Sequence, residues 1–194
     1  SLNVTNWDTS KATDMAGVFY CCFSLVSLDV SGWNTSKVTD MGTMFYGCKS
    51  LASADVSEWD TSSVDNMHGT FMGCSTLASL DVSGWDTSNA TSMCGTFYDC
   101  SSVTSLDISR WDVSRVTDMR EMFKNCTSLT SLDLSGWDAS RVSSTADMLS
   151  GSSNLHRIAL SDKLACNIPA PSFKGATGLW VNAETGSTYK SNAV

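Results

Sequence analysis

Cysteine, methionine and aspartate are the residues of this sequence that could carry chemistry, and they recur at regular spacing. In the stretch SGWNTSKVTDMGTMFYGCKSL, residues 31–51, Met41 and Cys48 follow Trp33 in a combination that could bind a metal or react. Tryptophan recurs at one constant interval, from Trp7 to Trp33 to Trp59 and onward along most of the chain. A fixed period of roughly 20–50 residues is the signature of a repeat protein. The position of each residue within the repeat therefore decides its role.

Four residue types, Trp, Met, Phe and Cys, hold fixed positions in the repeat and predict buried columns. No single coil can bury its aromatic residues, whereas stacked coils bury them as continuous rows. Neighbouring coils would place equivalent cysteines roughly 5 Å apart, but their Cβ vectors point the same way. We therefore expect buried free thiols rather than disulfides. The predicted structural columns are Trp7, Trp33, Trp59, Trp85, Trp111 and Trp137; Phe19, Phe45, Phe71, Phe97 and Phe123; and Cys22, Cys48, Cys74, Cys100 and Cys126.

One segment of each repeat has the alternation of a β-strand. Leu28 and Val30 are apolar, whereas Ser27, Asp29 and Ser31 are polar, which is the period of a strand with one buried face. Equivalent segments follow at the same interval as the tryptophans. Stacked coils would bring these short strands together as a parallel sheet.

The segment after each strand predicts a turn and then a short helix. Asp or Asn followed by Thr-Ser is turn chemistry, because short side-chain oxygens bond nearby backbone N–H groups. From Val38 to Cys48, apolar residues follow at spacings of three and four, the stripe of a short helix. The predicted fold is an α/β solenoid, leucine-rich-repeat-like, with one short parallel β-strand and one short helix per 26-residue coil.

The repeat pattern divides the chain into two parts. About six coils form a 26-residue repeat solenoid over residues 1–163, and the pattern decays near the end of that range. Both prolines, Pro169 and Pro171, fall in the remaining tail. We interpret residues 164–194 as a C-terminal capping segment with a β-hairpin around the Glu-Thr-Gly turn at 184–186.

The repeating unit resembles the BspA-like leucine-rich repeat, the 26-residue repeat of bacterial surface proteins. Residues 77–100 carry the resemblance most completely and read LASLDVSGWDTSNATSMCGTFYDC. The match covers roughly residues 1 to 163. It implies a leucine-rich-repeat-like solenoid that is secreted or on the cell surface, in a family associated with adhesion to host proteins or other cells. The resemblance supplies no catalytic residues.

Charge and the scarcity of histidine exclude several functions. The net charge is −8, from 20 acidic and 12 basic residues, which argues against a nucleic-acid partner because phosphate binding needs a basic face. His68 and His156 occupy unrelated repeat positions, and no zinc motif accompanies them. No apolar run approaches a membrane span. We therefore expect no enzyme, no catalytic residue, no cofactor and no direct membrane insertion.

Three sets of outward-facing residues are candidates for a binding face. The first is an aspartate on the strand face of each coil, the second a tyrosine beside the phenylalanine column, and the third a group of arginines concentrated in one coil. Residues that depart from a repeating scaffold are where binding specificity would be encoded. The candidates are Asp29, Asp55, Asp81, Asp107 and Asp133; Tyr20, Tyr46 and Tyr98; and Arg110, Arg115 and Arg120.

Each candidate set also has an interpretation without a ligand. The aspartates could be offset by solvent, by flanking serine hydroxyls and by shifted protonation, or they could hold Ca²⁺ or a basic partner. The tyrosines could contact protein or glycan, or pack laterally between neighbouring helices. The arginines could specify a ligand, or form a solvated face that balances the acids. The metal-binding state is left open.

These expectations combine into one functional hypothesis with two alternatives. We expect an extracellular protein-binding or adhesion module of a bacterial surface protein, presenting a solenoid surface to a host or microbial surface protein or glycan. The chain begins inside a repeat, so we expect it to be part of a longer protein. The resemblance implies that it is secreted, or attached to the cell wall through other parts of that protein. The alternatives are a passive structural spacer and a scaffold stabilised by Ca²⁺ in its aspartate columns.

Overall fold

The computed structural model describes residues 2–161, 163, 179–182 and 188–190. Its regular structure consists of short β-strands joined by rows of turns. β1 pairs in parallel with β2; β3, β4 and β5 pair in parallel in a second sheet; and β6 is antiparallel to β5. The strands are β1 (Ser27–Leu28), β2 (Ser53–Ala54), β3 (Ser131–Leu134), β4 (Arg157–Leu160), β5 (Leu179–Asn182) and β6 (Thr188–Lys190).

The parallel pairs between repeats join residues at equivalent repeat positions. Ser27 pairs with Ser53, and Ser53 in turn forms a bridge with Ser79. Leu132 pairs with Ile158 in the same register. Because each repeat lies on the next without an offset, equivalent side chains form rows, and the alternation of exposed and buried residues in the strands persists from repeat to repeat.

The helix predicted in every repeat is wrong, and the α/β class with it, because residues 2–161 contain no helix. Between 41 and 48, the N–H groups of Met44, Tyr46 and Cys48 donate to carbonyls three residues earlier. The alternate N–H groups, such as those of Met41 and Phe45, donate instead to carbonyls of the next repeat. An α-helix would send every N–H to the residue four positions earlier. We call this segment the turn row.

The turn row joins consecutive repeats with a fixed set of hydrogen bonds. In each case, the N–H of one residue donates to a carbonyl in the turn row of the next repeat. Thr43 donates to His68 over 2.7 Å, and Phe45 donates to Thr70 over 2.8 Å. Four such bonds occur at each of the five successive interfaces between Met15 and Ser150.

Two residues of each turn row, four positions apart, adopt the left-handed conformation. Two positions of each repeat have φ between 53° and 78°, and they recur with the period of the repeat. Glycine adopts this conformation without the steric cost that other residues meet. The two columns are Gly17, Thr43, Gly69, Gly95, Glu121 and Asp147, and Cys21, Gly47, Gly73, Asp99, Asn125 and Gly151.

The core consists of stacked aromatic rings between the strands and the turn rows. The centroids of successive tryptophan rings, from Trp7 to Trp111, lie 5.8–6.3 Å apart with planes within 13° of parallel. Successive phenylalanine centroids lie 5.3–5.9 Å apart. Each indole N–H from Trp33 onwards also donates to a carbonyl of the preceding repeat, as Trp59 does to Val30 over 3.1 Å. Ring stacking and a satisfied indole therefore act at the same interface.

The first members of two columns differ from the rest. Trp7 is 50% exposed, whereas Trp33 is 6% exposed and the later members of the column are more buried still. Cys22 is only partly buried, whereas Cys48 is fully buried. Both residues belong to the first described repeat, whose outer side is not covered by another described repeat.

The tail contributes two strands to the described chain. β5 extends the parallel pairing of β4, and β6 turns back along β5. The turn predicted at 184–186 and the rest of the predicted capping segment lie outside the described residues. Within the described ranges, no helical segment has the length and hydrophobicity needed to span a bilayer.

The left-handed positions yield a test of the turn row. Gly73 has a φ of 78°, and a Cβ placed there would lie 3.4 Å from both Cα and N of Gly47. We expect Gly73→Ala to lower the free energy of unfolding by about 1–2 kcal/mol, because the left-handed conformation is strained for alanine. Chemical denaturation monitored by circular dichroism measures the change.

The matched control for this substitution is Gly32→Ala. A Cβ at Gly32 meets no atom within 4 Å, and Gly32 is not in the left-handed region. Its replacement is expected to change stability by less than about 0.5 kcal/mol. Equal effects of the two substitutions would contradict the assigned role of the left-handed column.

Candidate functional site

The first candidate site is the exposed side of the strands, which we call the Ser–Asp face. In each repeat, a serine and an aspartate flank one buried residue and point outward, as the alternation of a strand requires. A shallow open groove runs across three repeats of this face, between Ser53 and Asp107. The face consists of Ser27, Ser53, Ser79, Ser105 and Ser131 with Asp29, Asp55, Asp81, Asp107 and Asp133.

Each aspartate of the Ser–Asp face uses one carboxylate oxygen to hold the turn that follows the strand. The N–H and hydroxyl of Ser83 donate to Oδ1 of Asp81 over 3.0 and 2.7 Å. The same pair of bonds recurs in the other four repeats that carry the aspartate. The serine hydroxyl, and then the serine N–H, lower the pKa of Asp29 and of Asp81. Hydrogen bonding therefore favours the charged form of these two acids.

The aspartates do not form a ready-made metal site. Among the described residues, no three His, Cys, Asp or Glu side chains are grouped so that they could hold a metal ion. Calcium takes six to eight oxygen ligands. A Ca²⁺ ion on this face would therefore need ligands beyond a preformed acidic cluster.

The second candidate set, the tyrosines, packs along the direction of stacking. The rings of Tyr20 and Tyr46 are stacked, with centroids 4.7 Å apart and planes within 9° of parallel. The ammonium of Lys124 lies 5.6 Å from the centroid of Tyr98. Met72 occupies the same repeat position between Tyr46 and Tyr98. We expected that the tyrosines could pack laterally between neighbouring helices, and this was wrong about the helices. The neighbours of the tyrosines are the equivalent residues of adjacent turn rows.

The third candidate set, the arginines, is spread over successive turns of one repeat. Arg120 forms an ion pair with Asp118, with Nη2 and Oδ2 2.7 Å apart, and this pair lowers the pKa of Asp118 and raises that of Arg120. Arg115 donates from Nη1 to Oδ1 of Asn89 over 2.5 Å. Arg110 is exposed in the turn before the tryptophan. Asp118 would compete with an anionic ligand for Arg120.

The cysteine column is buried and bonded to the backbone. Sγ of Cys74 donates to the carbonyl of Phe45 over 3.2 Å, and Cys48, Cys100 and Cys126 repeat the contact in their own repeats. Burial raises the pKa of Cys48 to about 12, and it also raises the pKa of Cys74 and of Cys100 well above the ordinary value of a thiol. Ser152 replaces cysteine in the last repeat and donates to the equivalent carbonyl of Phe123. The column therefore acts as a set of hydrogen-bond donors.

Sequence reasoning missed one exposed feature. Within residues 2–161, all the exposed large apolar side chains belong to the first repeat. The available signal was a comparison of outward positions, because Phe23 and Val26 stand where the next repeat has Lys49 and Ala52. Apolar residues at outward positions escape a search for polar functional groups.

The regular pairing between equivalent positions defines the chain as a repeat protein of short strands and turn rows. A family model described as "Mycoplasma protein of unknown function, DUF285" matches residues 1–54 and 48–162. The chain belongs to this family, a repeat family associated with BspA-like proteins in general. No curated protein shows significant similarity to the chain.

The serine–aspartate turn yields a prediction about titration. Because the pKa of Asp81 is lowered in the folded state, its stabilising contribution is present above the unfolded-state pKa. It is lost as the pH falls through the folded-state pKa. Ser83→Ala removes the hydroxyl and is expected to raise the pKa of Asp81 towards its ordinary value. Carbon-detected NMR titration of the Asp81 carboxyl measures the shift, and Ser79→Ala on the same face is the control. An unchanged titration in Ser83→Ala would contradict the assignment.

The buried thiols yield a second prediction. Cys100 is buried and its thiol pKa lies well above the ordinary value, whereas Cys94 is only partly buried. Since the thiolate is the reactive form, we expect iodoacetamide to label Cys100 at least about a hundredfold more slowly than Cys94 in the folded protein at pH 8. Mass spectrometry of each peptide measures the two rates, and guanidinium should make them equal. Equal rates in the folded protein would show that the column is accessible.

Proposed function

We propose that the protein is a non-catalytic adhesion module of a bacterial surface protein, with a leucine-rich-repeat-like solenoid of the BspA-like type. In this proposal the Ser–Asp face binds a basic region of a host or microbial surface protein. The main observation that supports this binding face is the row of five exposed aspartates, which lie at one strand position in consecutive repeats. The constant stacking register and the resemblance of residues 77–100 support the solenoid assignment.

Electrostatics favours a basic partner for this face. Neighbouring parallel strands lie about 5 Å apart, so the exposed carboxylates of successive repeats repel one another, and solvent and salt screen this repulsion only in part. Lysine or arginine side chains along the groove would offset this repulsion. Each serine hydroxyl already bonds Oδ1 of its aspartate, as Ser57 does with Asp55, so a cation can approach the other oxygen, Oδ2. The overall charge of −8 would steer a basic partner towards the protein.

The chemistry of the remaining groups supports a non-catalytic role. The thiols of Cys74, Cys100 and Cys126 are held protonated by burial, which raises their pKa, so they are poor nucleophiles. The same protection is compatible with an oxidising cell exterior. His68 and His156 lie on different segments of different repeats, the turn row and the strand edge.

A second candidate function rests on the uniformity of the same face. The serine and aspartate recur without change from Ser27 to Asp133, which is also what a passive spacer requires. A spacer would hold other domains away from the cell wall and would have no specific ligand. Binding measurements distinguish it from the adhesion module.

The test is a binding screen of the protein against immobilised extracellular-matrix proteins and glycans, compared with a triple substitution, Asp55→Asn, Asp81→Asn and Asp107→Asn. Asparagine keeps the turn acceptor, because Asn3 already fills this repeat position and accepts the N–H of Thr5 over 3.1 Å. For a basic matrix protein we expect the variant to bind at least tenfold more weakly, about 1.4 kcal/mol. The loss should shrink at high salt, where surface charges are screened.

The matched control replaces Arg110, Arg115 and Arg120 with alanine and should leave binding to a basic ligand unchanged or stronger. Undiminished binding by the asparagine variant would contradict the proposed face. Loss of binding in the arginine variant alone would place the contact on the arginine set instead. A screen without any ligand would favour the spacer.

A further inference from the structure

The outer side of the first repeat, residues 2–27, carries an apolar surface that has no equivalent elsewhere in the described chain. Six large apolar side chains there are between 40% and 56% exposed. No other large apolar side chain within residues 2–161 is exposed to this degree. The six are Leu2, Trp7, Val18, Tyr20, Phe23 and Val26.

Three of these residues, Leu2, Trp7 and Val18, occupy core positions of the repeat, and Leu28, the equivalent of Leu2, is only 7% exposed. Trp7 is 50% exposed, but its equivalents, from Trp33 onwards, are at most 6% exposed because the preceding repeat covers them. Val18 is 40% exposed, whereas Met44 at the same position is fully buried. The exposed surface is therefore an inter-repeat interface with one side missing. A groove between Trp7, Ala12, Met15 and Val18 runs along it.

The backbone carbonyls at this edge of the first repeat match those that accept hydrogen bonds at the interfaces between repeats. In the second repeat, the carbonyls of Asp40, Gly42, Met44 and Tyr46 each accept an N–H from the repeat before. The matching carbonyls of the first repeat have no such backbone donor in the described chain. Those four carbonyls belong to Asp14, Ala16, Val18 and Tyr20.

These four carbonyls only accept hydrogen bonds, which restricts the partner to a surface that offers donors. The turn-row edge presents four acceptors in a row, so two copies meeting through the same face would oppose carbonyl to carbonyl. A matching partner must offer N–H groups at every second residue, as Met15 and Phe19 do towards the second repeat. Within the described structure, that row of donors occurs on the C-terminal side of a turn row.

A second copy of this chain does not offer the matching strand edge. Its last repeat strand, β4, already has β5 on its far side. A different repeat with a free C-terminal side would present both the strand and the turn row.

We propose that the outer side of the first repeat docks the C-terminal side of another 26-residue repeat of the same pattern. The docked repeat continues the existing interfaces. It places its tryptophan over Trp7, donates its alternate N–H groups to the carbonyls from Asp14 to Tyr20, and accepts the indole N–H of Trp7. This surface is separate from the Ser–Asp face, and its occupant does not depend on the ligand proposed for that face.

The test fuses a second copy of residues 28–53 directly before Leu2 of the full chain, which keeps the register of the repeat. Oxidation of Trp7 by hydroxyl radicals, mapped by mass spectrometry, is expected to slow roughly eightfold, the ratio of the 50% exposure of Trp7 to the 6% of Trp33. The amide of Thr13 should also gain protection from hydrogen exchange, since the equivalent Thr39 amide is bonded to the carbonyl of Thr13.

The matched control fuses the same segment with its amino acids in scrambled order. It should leave Trp7 and Thr13 as reactive as in the unfused chain. Equal protection by both fusions, or by neither, would overturn the proposal. Sedimentation of the unfused chain provides an independent check. A dimer that Trp7→Asp converts to monomer would make the occupant a second copy and would likewise overturn the assignment.

Discussion

The structure depends on the need to satisfy every second backbone N–H of the turn row in the next repeat. A helix satisfies its backbone within itself, but here half of the N–H groups between 41 and 48 find carbonyls in the turn row that follows. A change in repeat length would leave these groups unpaired at an otherwise buried interface. The hydrogen bonds therefore fix the period of the repeat more strictly than side-chain packing could, because apolar contacts tolerate small shifts.

That register explains why the interior is built from columns of identical residues. Once each repeat lies directly on the next, the ring of Phe45 must meet Phe19 on one side and Phe71 on the other. Flat rings suit this geometry because they stack at a nearly constant spacing. Cysteine fits because it is small and its thiol reaches the backbone of the preceding repeat, a contact that Ser152 can also make. Cysteines that look reactive in the sequence therefore have a structural role, as buried hydrogen-bond donors.

The aspartates of the Ser–Asp face likewise serve the structure, but they also carry charge that the structure does not need. Asp81 is both the acceptor that closes a turn and a charge presented to solvent. Its structural role explains the acceptor but does not require a carboxylate, because Asn3 makes the equivalent contact. Five carboxylates stand where a neutral amide would serve the fold. This excess charge is the physical basis for proposing a basic partner.

The sequence alone determined the period, the residues of the columns and the strand alternation, because each is a repeated local pattern. It did not determine the conformation between Val38 and Cys48, since spacings of three and four are shared by a helix and by overlapping turns. The carbonyls that accept the alternate N–H groups lie in the next repeat and decide between the two. Only the tertiary structure could also distinguish Trp7 from Trp33, which are identical in pattern. Burial depends on whether a neighbouring repeat is present, and that is a property of the assembled interfaces.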